Sequence, residues 1–192
     1  MTASYSDSGD GDLIGQPHCI AADPLFMNAA GGDWRLHYGS PCIDTGSPGS
    51  ITALDLRGVT RNVDGNLDTQ NAADMGAFEF QMLEKIGFVS IATDMGLLFW
   101  GPSGGSSTLQ LSFSAPTAGT STSFGTFYLS NTGLLTLGNL PCGSGPPGIL
   151  RRHIPNNPSL IGTTFSFQAL TDSPLAPSGR AYTNPISFVI AP

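Results

Sequence analysis

The sequence predicts an all-β chain in two parts. Residues 1–80 read as the stacked coils of a parallel β-helix, and residues 86–192 as an antiparallel β-sandwich. Three observations carry this expectation. Before position 80 the apolar residues come in bursts of one or two between turn formers. After position 86 they alternate with polar residues over longer runs. Charge divides at the same place: residues 1–80 hold eleven Asp/Glu and three Lys/Arg, and residues 81–192 hold three and four, within a net of −7 for 192 residues. A shift of that size at one point marks two modules, with residues 81–85 as the linker.

The composition suits short strands and tight turns. Charged residues make up 11%, about half the usual share, while Gly (25) and Pro (15) are abundant. A hydrophobic content of 40% is not that of a disordered chain. Lysine occurs only at Lys85, and the seven cationic residues form no cluster beyond Arg151-Arg152, so nucleic acid is excluded as a partner. No apolar run is long enough to span a membrane as a helix.

The first module is organised around residues 23–44. Leu25-Phe26, Trp34 with Leu36, and Ile43 alternate with Asp23-Pro24, Asn28, Gly31-Gly32-Asp33 and Gly39-Ser40-Pro41. No burst follows a helical period, and strands of two to four residues between turns are what a β-helix coil needs. Such a coil cannot bury its inner face alone and must stack on another. His18-Cys19-Ile20-Ala21 returns as Pro41-Cys42-Ile43-Asp44 after 23 residues, a plausible coil length. Trp34 and Leu36 share a strand face, so both are expected inside, with Asp33 and Arg35 outside.

These residues carry a family resemblance. Asp23–Phe26, Asp33–Leu36 with Gly39–Gly46, Leu54–Arg61 and Asp74–Phe80 are similar, in order, to the DPLF, "D(W/Y/F)RL…GSPCIDAG", "LDxxGxxR" and "DMGAxE(F/Y)" elements. Those elements close secreted bacterial right-handed parallel β-helix repeat proteins, of pectin lyase-like fold. The departures are small, such as Thr45 for Ala and Phe78 for Tyr. Residues 1–7 resemble the "TYSD" strand and turn one coil earlier. The resemblance implies the C-terminal portion of a longer exported or cell-surface protein, the alternative being a complete small protein. It implies no single activity.

The second module shows period-two alternation at 87–92, 97–100, 108–113, 124–130, 134–137, 163–170 and 186–190. Phe165, Phe167 and Ala169 share one face, the pattern of a half-buried antiparallel strand. About seven strands in this length indicate a sandwich. Asn157 can cap a single turn started by Pro158 and ended by Gly162, so residues 140–162 read as a long crossover. Pro155–Gln168 and Thr183–Ile190 resemble "P-x-NP-(S/A)-L-x-G-x-x-F-x-x-Q" and "SN-x-(I/V)-x-(V/F)-x-(I/V)" of a C-terminal domain found in secreted bacterial proteins. That resemblance implies a non-catalytic appendage.

Candidate chemistry is sparse. Asp64, Asn66 and Asp68 place side-chain oxygens at i, i+2 and i+4, as an EF-hand loop begins, so they are the candidate calcium ligands. Thr69 stands where Gly is required and Met75 where the bidentate Glu belongs, so a plain Asx-rich turn is the alternative. Calcium is the one candidate ion, and no other cofactor is expected. Cys19 and Cys42, on adjacent coils about 4.8 Å apart, could be a disulfide, two buried thiols or part of a metal site. Cys142 reads as a loop residue. Gly101-Pro102-Ser103-Gly104-Gly105 matches G-x-S-x-G, but another strand follows where a nucleophile elbow needs a helix, so it reads as a hairpin loop.

Two functions fit. One is a non-catalytic structural cap and attachment module that meets cell-surface or extracellular polysaccharide or protein. The other is part of a carbohydrate-active enzyme, a polysaccharide lyase or glycoside hydrolase with catalytic coils mostly upstream. Asp7, Asp23, Asp33 and Asp44 are the candidate acids for it, and Arg35, Arg57 and Arg61 the candidate bases. No catalytic residue is assigned within the chain.

Overall fold

A computed structural model describes residues 3–49 and 53–192. The chain is all-β, and its named strands pair antiparallel throughout. It divides into two compact units, Met1–Asn66 with Gln70–Gln81, and Leu67–Thr69 with Met82–Pro192. Among the described residues, no helix is long and apolar enough to cross a membrane.

The first unit is mostly turns held by loop hydrogen bonds. Its two named strands, β1 (Phe26–Asn28) and β2 (Asp33–Leu36), form a hairpin. A single 3₁₀ turn, Ala29–Gly31, joins them. The Asn28 side chain accepts from the Gly31 N–H at 3.0 Å, and Gly32 takes φ 81°, a left-handed conformation that favours glycine. So short a connection forces neighbouring strands to run antiparallel, because parallel neighbours need a crossover of about a dozen residues. Among the described residues of this unit, only the longer excursion from Asp7 to Ile20 returns in parallel, as an isolated bridge. The named strands of this unit are therefore antiparallel where parallel coils were expected. Leu36, Cys42, Ile43, Ala73, Met75 and Phe80 supply the buried apolar groups.

The second unit is a sandwich. One sheet runs β3 (Leu83–Gly87), β4 (Asp94–Phe99), β9 (Gly148–His153). The other centres on the nine-residue β10 (Thr164–Asp172). It pairs on one side with β5 (Ser106–Ser112), which in turn pairs with β8 (Leu135–Pro141). Its other side is shared by β11 (Arg180–Tyr182) and β12 (Ile186–Val189). The core lies between the sheets. Leu83, Leu97, Phe99 and Leu150 from one face Leu109, Leu111, Phe167 and Ala169 from the other. A small hairpin, β6 (Thr120–Thr122) with β7 (Gly125–Phe127), completes the strands.

Three sequence expectations are corrected here. Residues 81–85 are not a linker: Met82 and Leu83 are buried and β3 begins at Leu83. One polar step, Glu84-Lys85, hid an otherwise apolar strand. The 140–162 crossover contains β9, an edge strand whose Arg151-Arg152-His153 run masks its alternation. The turn within it forms as expected, Asn157 accepting from the Ser159 N–H at 3.0 Å with Pro158 first. The G-x-S-x-G segment is no hairpin, since β4 and β5 belong to different sheets and the segment carries the chain between them. Cys142 is a loop residue as expected, and it is buried in the sandwich core.

Candidate functional site

The densest chemistry is a set of buried carboxylates in the first unit, drawn from the "LDxxGxxR" and "DMGAxE" segments. Asp55, Asp74 and Glu79 are all buried. Each is occupied by the protein's own backbone. Asp55 Oδ1 accepts the N–H groups of Arg57 (2.7 Å) and Val59 (2.9 Å). Its Oδ2 accepts the Glu79 N–H (3.0 Å) and the Arg57 Nε (3.2 Å). Glu79 Oε1 accepts from the Asn62 N–H at 3.1 Å, and Oε2 from the Asp74 N–H at 3.2 Å. Asp74 Oδ1 accepts the Asp44 N–H at 2.8 Å, and Oδ2 the Phe80 N–H. Asp44 accepts from Gly65 and Asn66 (2.8 Å).

Two arginines close the set. Arg57 donates Nη2 to the Glu79 carbonyl at 2.6 Å, and Arg61 donates Nη2 to the carbonyls of Asp74 and Gly76 at 2.8 Å. Arg61 Nε lies 3.5 Å from Glu79 Oε2. Gly46 is needed for close approach: a Cβ there would come within 2.6 Å of the Asp74 carbonyl. A strand-poor unit has many backbone groups without ladder partners, and these side chains satisfy them.

Burial sets the electrostatics. Desolvation, with the Asp74 and Asp64 charges, pushes Asp44 up to about 8. Desolvation, with the Glu79 charge, pushes Asp74 up to about 7. Desolvation also raises Glu79. Asp55 is the exception. Burial acts upward on it too, but the N–H donors of Glu79, Val59 and Arg57 and the Arg57 charge outweigh it and hold it below its ordinary value. Values near neutrality suit general acid–base work. However, an open pocket of this unit is lined by Asp23, Leu25, Phe26, Ala29 and His37, and by none of these four carboxylates.

Asp64 and Asn66 lie in the first unit and Asp68 in the second. Asp64 is buried, and the Asn66 N–H is given to Asp44. Among the described residues, no group of three or more His, Cys, Asp or Glu is placed to hold a metal ion. Cys19 and Cys42 are free thiols, so the disulfide does not form. Cys42 Sγ lies 3.2 Å from Asp7 Oδ2, and burial pushes its thiol up to about 12.

Trp34 overturns an expectation: it is 52% exposed while Leu36 is buried. The two share a strand face, but β2 is four residues long and pairs only with β1. Leu36 ends the strand next to the buried run at Ser40, Cys42 and Ile43. Trp34 instead packs edge-on against Phe26, with ring centroids 5.2 Å apart. Beside it Arg35 and Asp33 form a bidentate pair at 2.9 and 2.7 Å. Sequence reasoning missed Glu79, Asp55 and Arg61 as one network because its members are 6 to 24 residues apart and meet only in the fold. No family model, characterised protein or solved structure matches this chain.

Proposed function

We propose that this chain is a non-catalytic cap and attachment module of a secreted or cell-surface β-helix protein. In this reading residues 1–80 close a right-handed parallel β-helix and the sandwich is its appendage. The observation that carries it is the use of the acidic and basic side chains of the first unit. Asp55, Asp74, Glu79, Arg57 and Arg61 are committed to backbone groups, and none of them lines the open pocket at Asp23, Leu25, Phe26, Ala29 and His37. The parallel bridge between Asp7 and Ile20 supports the β-helix part. The exposed Trp34, braced by Phe26, is the surface suited to attachment, because an indole face stacks on sugar rings.

The test is to incubate the full chain with insoluble and soluble polysaccharides, neutral and uronate-containing. Retention on at least one, without new reducing ends or unsaturated products, is expected. Retention should fall in Trp34→Ala with folding unchanged. Turnover that disappears in Asp44→Asn or Asp74→Asn would favour the carbohydrate-active enzyme instead.

A further inference from the structure

The second unit leaves its core open at one end. Between the sheets lies an apolar slot of about 230 Å³. Its inner walls are Leu97, Leu111, Leu150, Phe165, Phe167 and Phe188. An apolar cavity of about 150 Å³ takes up benzene, a ligand of six carbons, so a slot of this volume accommodates a chain of about eight. Cavities lined by Leu, Ile and Phe stay dry and accept apolar molecules even when smaller.

Two features of the mouth are built for an occupant. The first is a β-bulge in the edge strand β8. Leu109 pairs with Gly138 and Gln110 with Thr136, which leaves Leu137 as the extra residue. Gly138 takes φ 111°, which permits the distortion. Bulges re-aim side chains, and here the re-aimed Leu137 is both 46% exposed and part of the slot lining. The second is charge. Arg152 follows Leu150 on the inward face of β9 and lines the mouth. His153, also at the mouth, is engaged at 2.8 Å by Asp94. In a chain with net charge −7, this puts Arg152 at the rim of the apolar slot.

We propose that this slot binds one linear acyl or alkyl chain of about eight carbons with an anionic head group. The chain fills the space between the sheets, and the head pairs with Arg152. An apolar body with one charged end matches an apolar slot with one cationic rim.

Calorimetric titration of the full chain with octanoate and with octanol tests this. One saturable site is expected for octanoate. Arg152→Glu, an exposed position, should weaken octanoate by about tenfold or more and leave octanol within about twofold. Leu137→Asp, also exposed, should weaken both. Absence of saturable binding of octanoate, or an equal effect of Arg152→Glu on both ligands, would overturn the proposal. Sedimentation is run in parallel. Self-association lost in Leu137→Asp, without octanoate binding by the parent chain, would make a second copy the occupant and refute the acyl site.

Discussion

Replacing Asp55 by Asn keeps the shape of the side chain and removes half of its function. The Asp55 side chain is fully buried, and both oxygens accept two donors, four in all counting Arg57 Nε. In Asn one oxygen becomes an NH₂ group. Whichever way the amide turns, that group faces two N–H donors. Two hydrogen bonds to a charged acceptor are lost, and two buried donors are left unpaired, at about 1–3 kcal/mol each. The Arg57 guanidinium also loses the charge it pairs with. A loss of about 3–5 kcal/mol is expected, as for breaking a buried ion pair from one side. At a urea slope of about 1–3 kcal/mol per molar, the midpoint of the first unit moves down by at least about 1 M. Amide exchange read by mass spectrometry gives the local answer. Either the Arg57 and Val59 N–H groups or the Glu79 N–H, according to how the amide turns, should lose protection in Asp55→Asn, with β5 and β10 as internal reference. Wild-type protection of all three in this variant would refute the account of Asp55 as an acceptor, because only one of its two acceptor oxygens remains.

Three further outcomes are expected. Asp44 and Asp74 have folded pKa values of about 8 and about 7. Raised carboxyls bind protons more tightly folded than unfolded, so their contribution is complete below about pH 4 and is lost as pH rises towards 8. Asp55, held low, acts oppositely and only below its ordinary value. Urea midpoints of the first unit should therefore fall from pH 5 to pH 8, and Asp44→Asn should flatten that slope; a midpoint that rises would contradict the burial of these groups. Trp34→Ala should cost no more than about 1.5 kcal/mol, the worth of its edge contact with Phe26. Trp100→Ala, at a position 3% exposed, should cost about 3–5 kcal/mol, so equal melting shifts for the two would reverse their assignments. Gln168→Leu strands the Tyr128 N–H and the Thr126 and Thr183 carbonyls, which the Gln168 amide binds at 2.8 to 2.9 Å. It should lose about 2 kcal/mol or more and deprotect the Tyr128 amide; unchanged exchange there would show that the amide holds nothing down.

Local sequence determined the all-β class, because period-two alternation at 108–113 and 163–170 reflects the geometry of a strand whatever surrounds it. β5 and β10 form there and pair Phe167 with Leu111. It also determined the Asn157-Pro158 turn, whose hydrogen bond closes within two residues. Pairing partners and burial were decided by the tertiary structure. Ser166 and Gln168 read as the wet face of a half-buried strand, yet both are fully buried. Ser166 Oγ donates to the Ser114 carbonyl, and Gln168 ties down the Thr126–Tyr128 segment, which covers that outer face. The same limit explains Trp34 and Leu36. Alternation says which residues share a face but not what lies above it. The carboxylate network of Asp44, Asp55, Asp74 and Glu79 shows it most fully. A lone Asp beside Gly or Arg is a turn residue by local rules. It becomes a buried group with a shifted proton affinity only when segments 22 to 30 residues apart bring their N–H groups to it. Burial and electrostatics depend on distances between groups that the chain order does not specify.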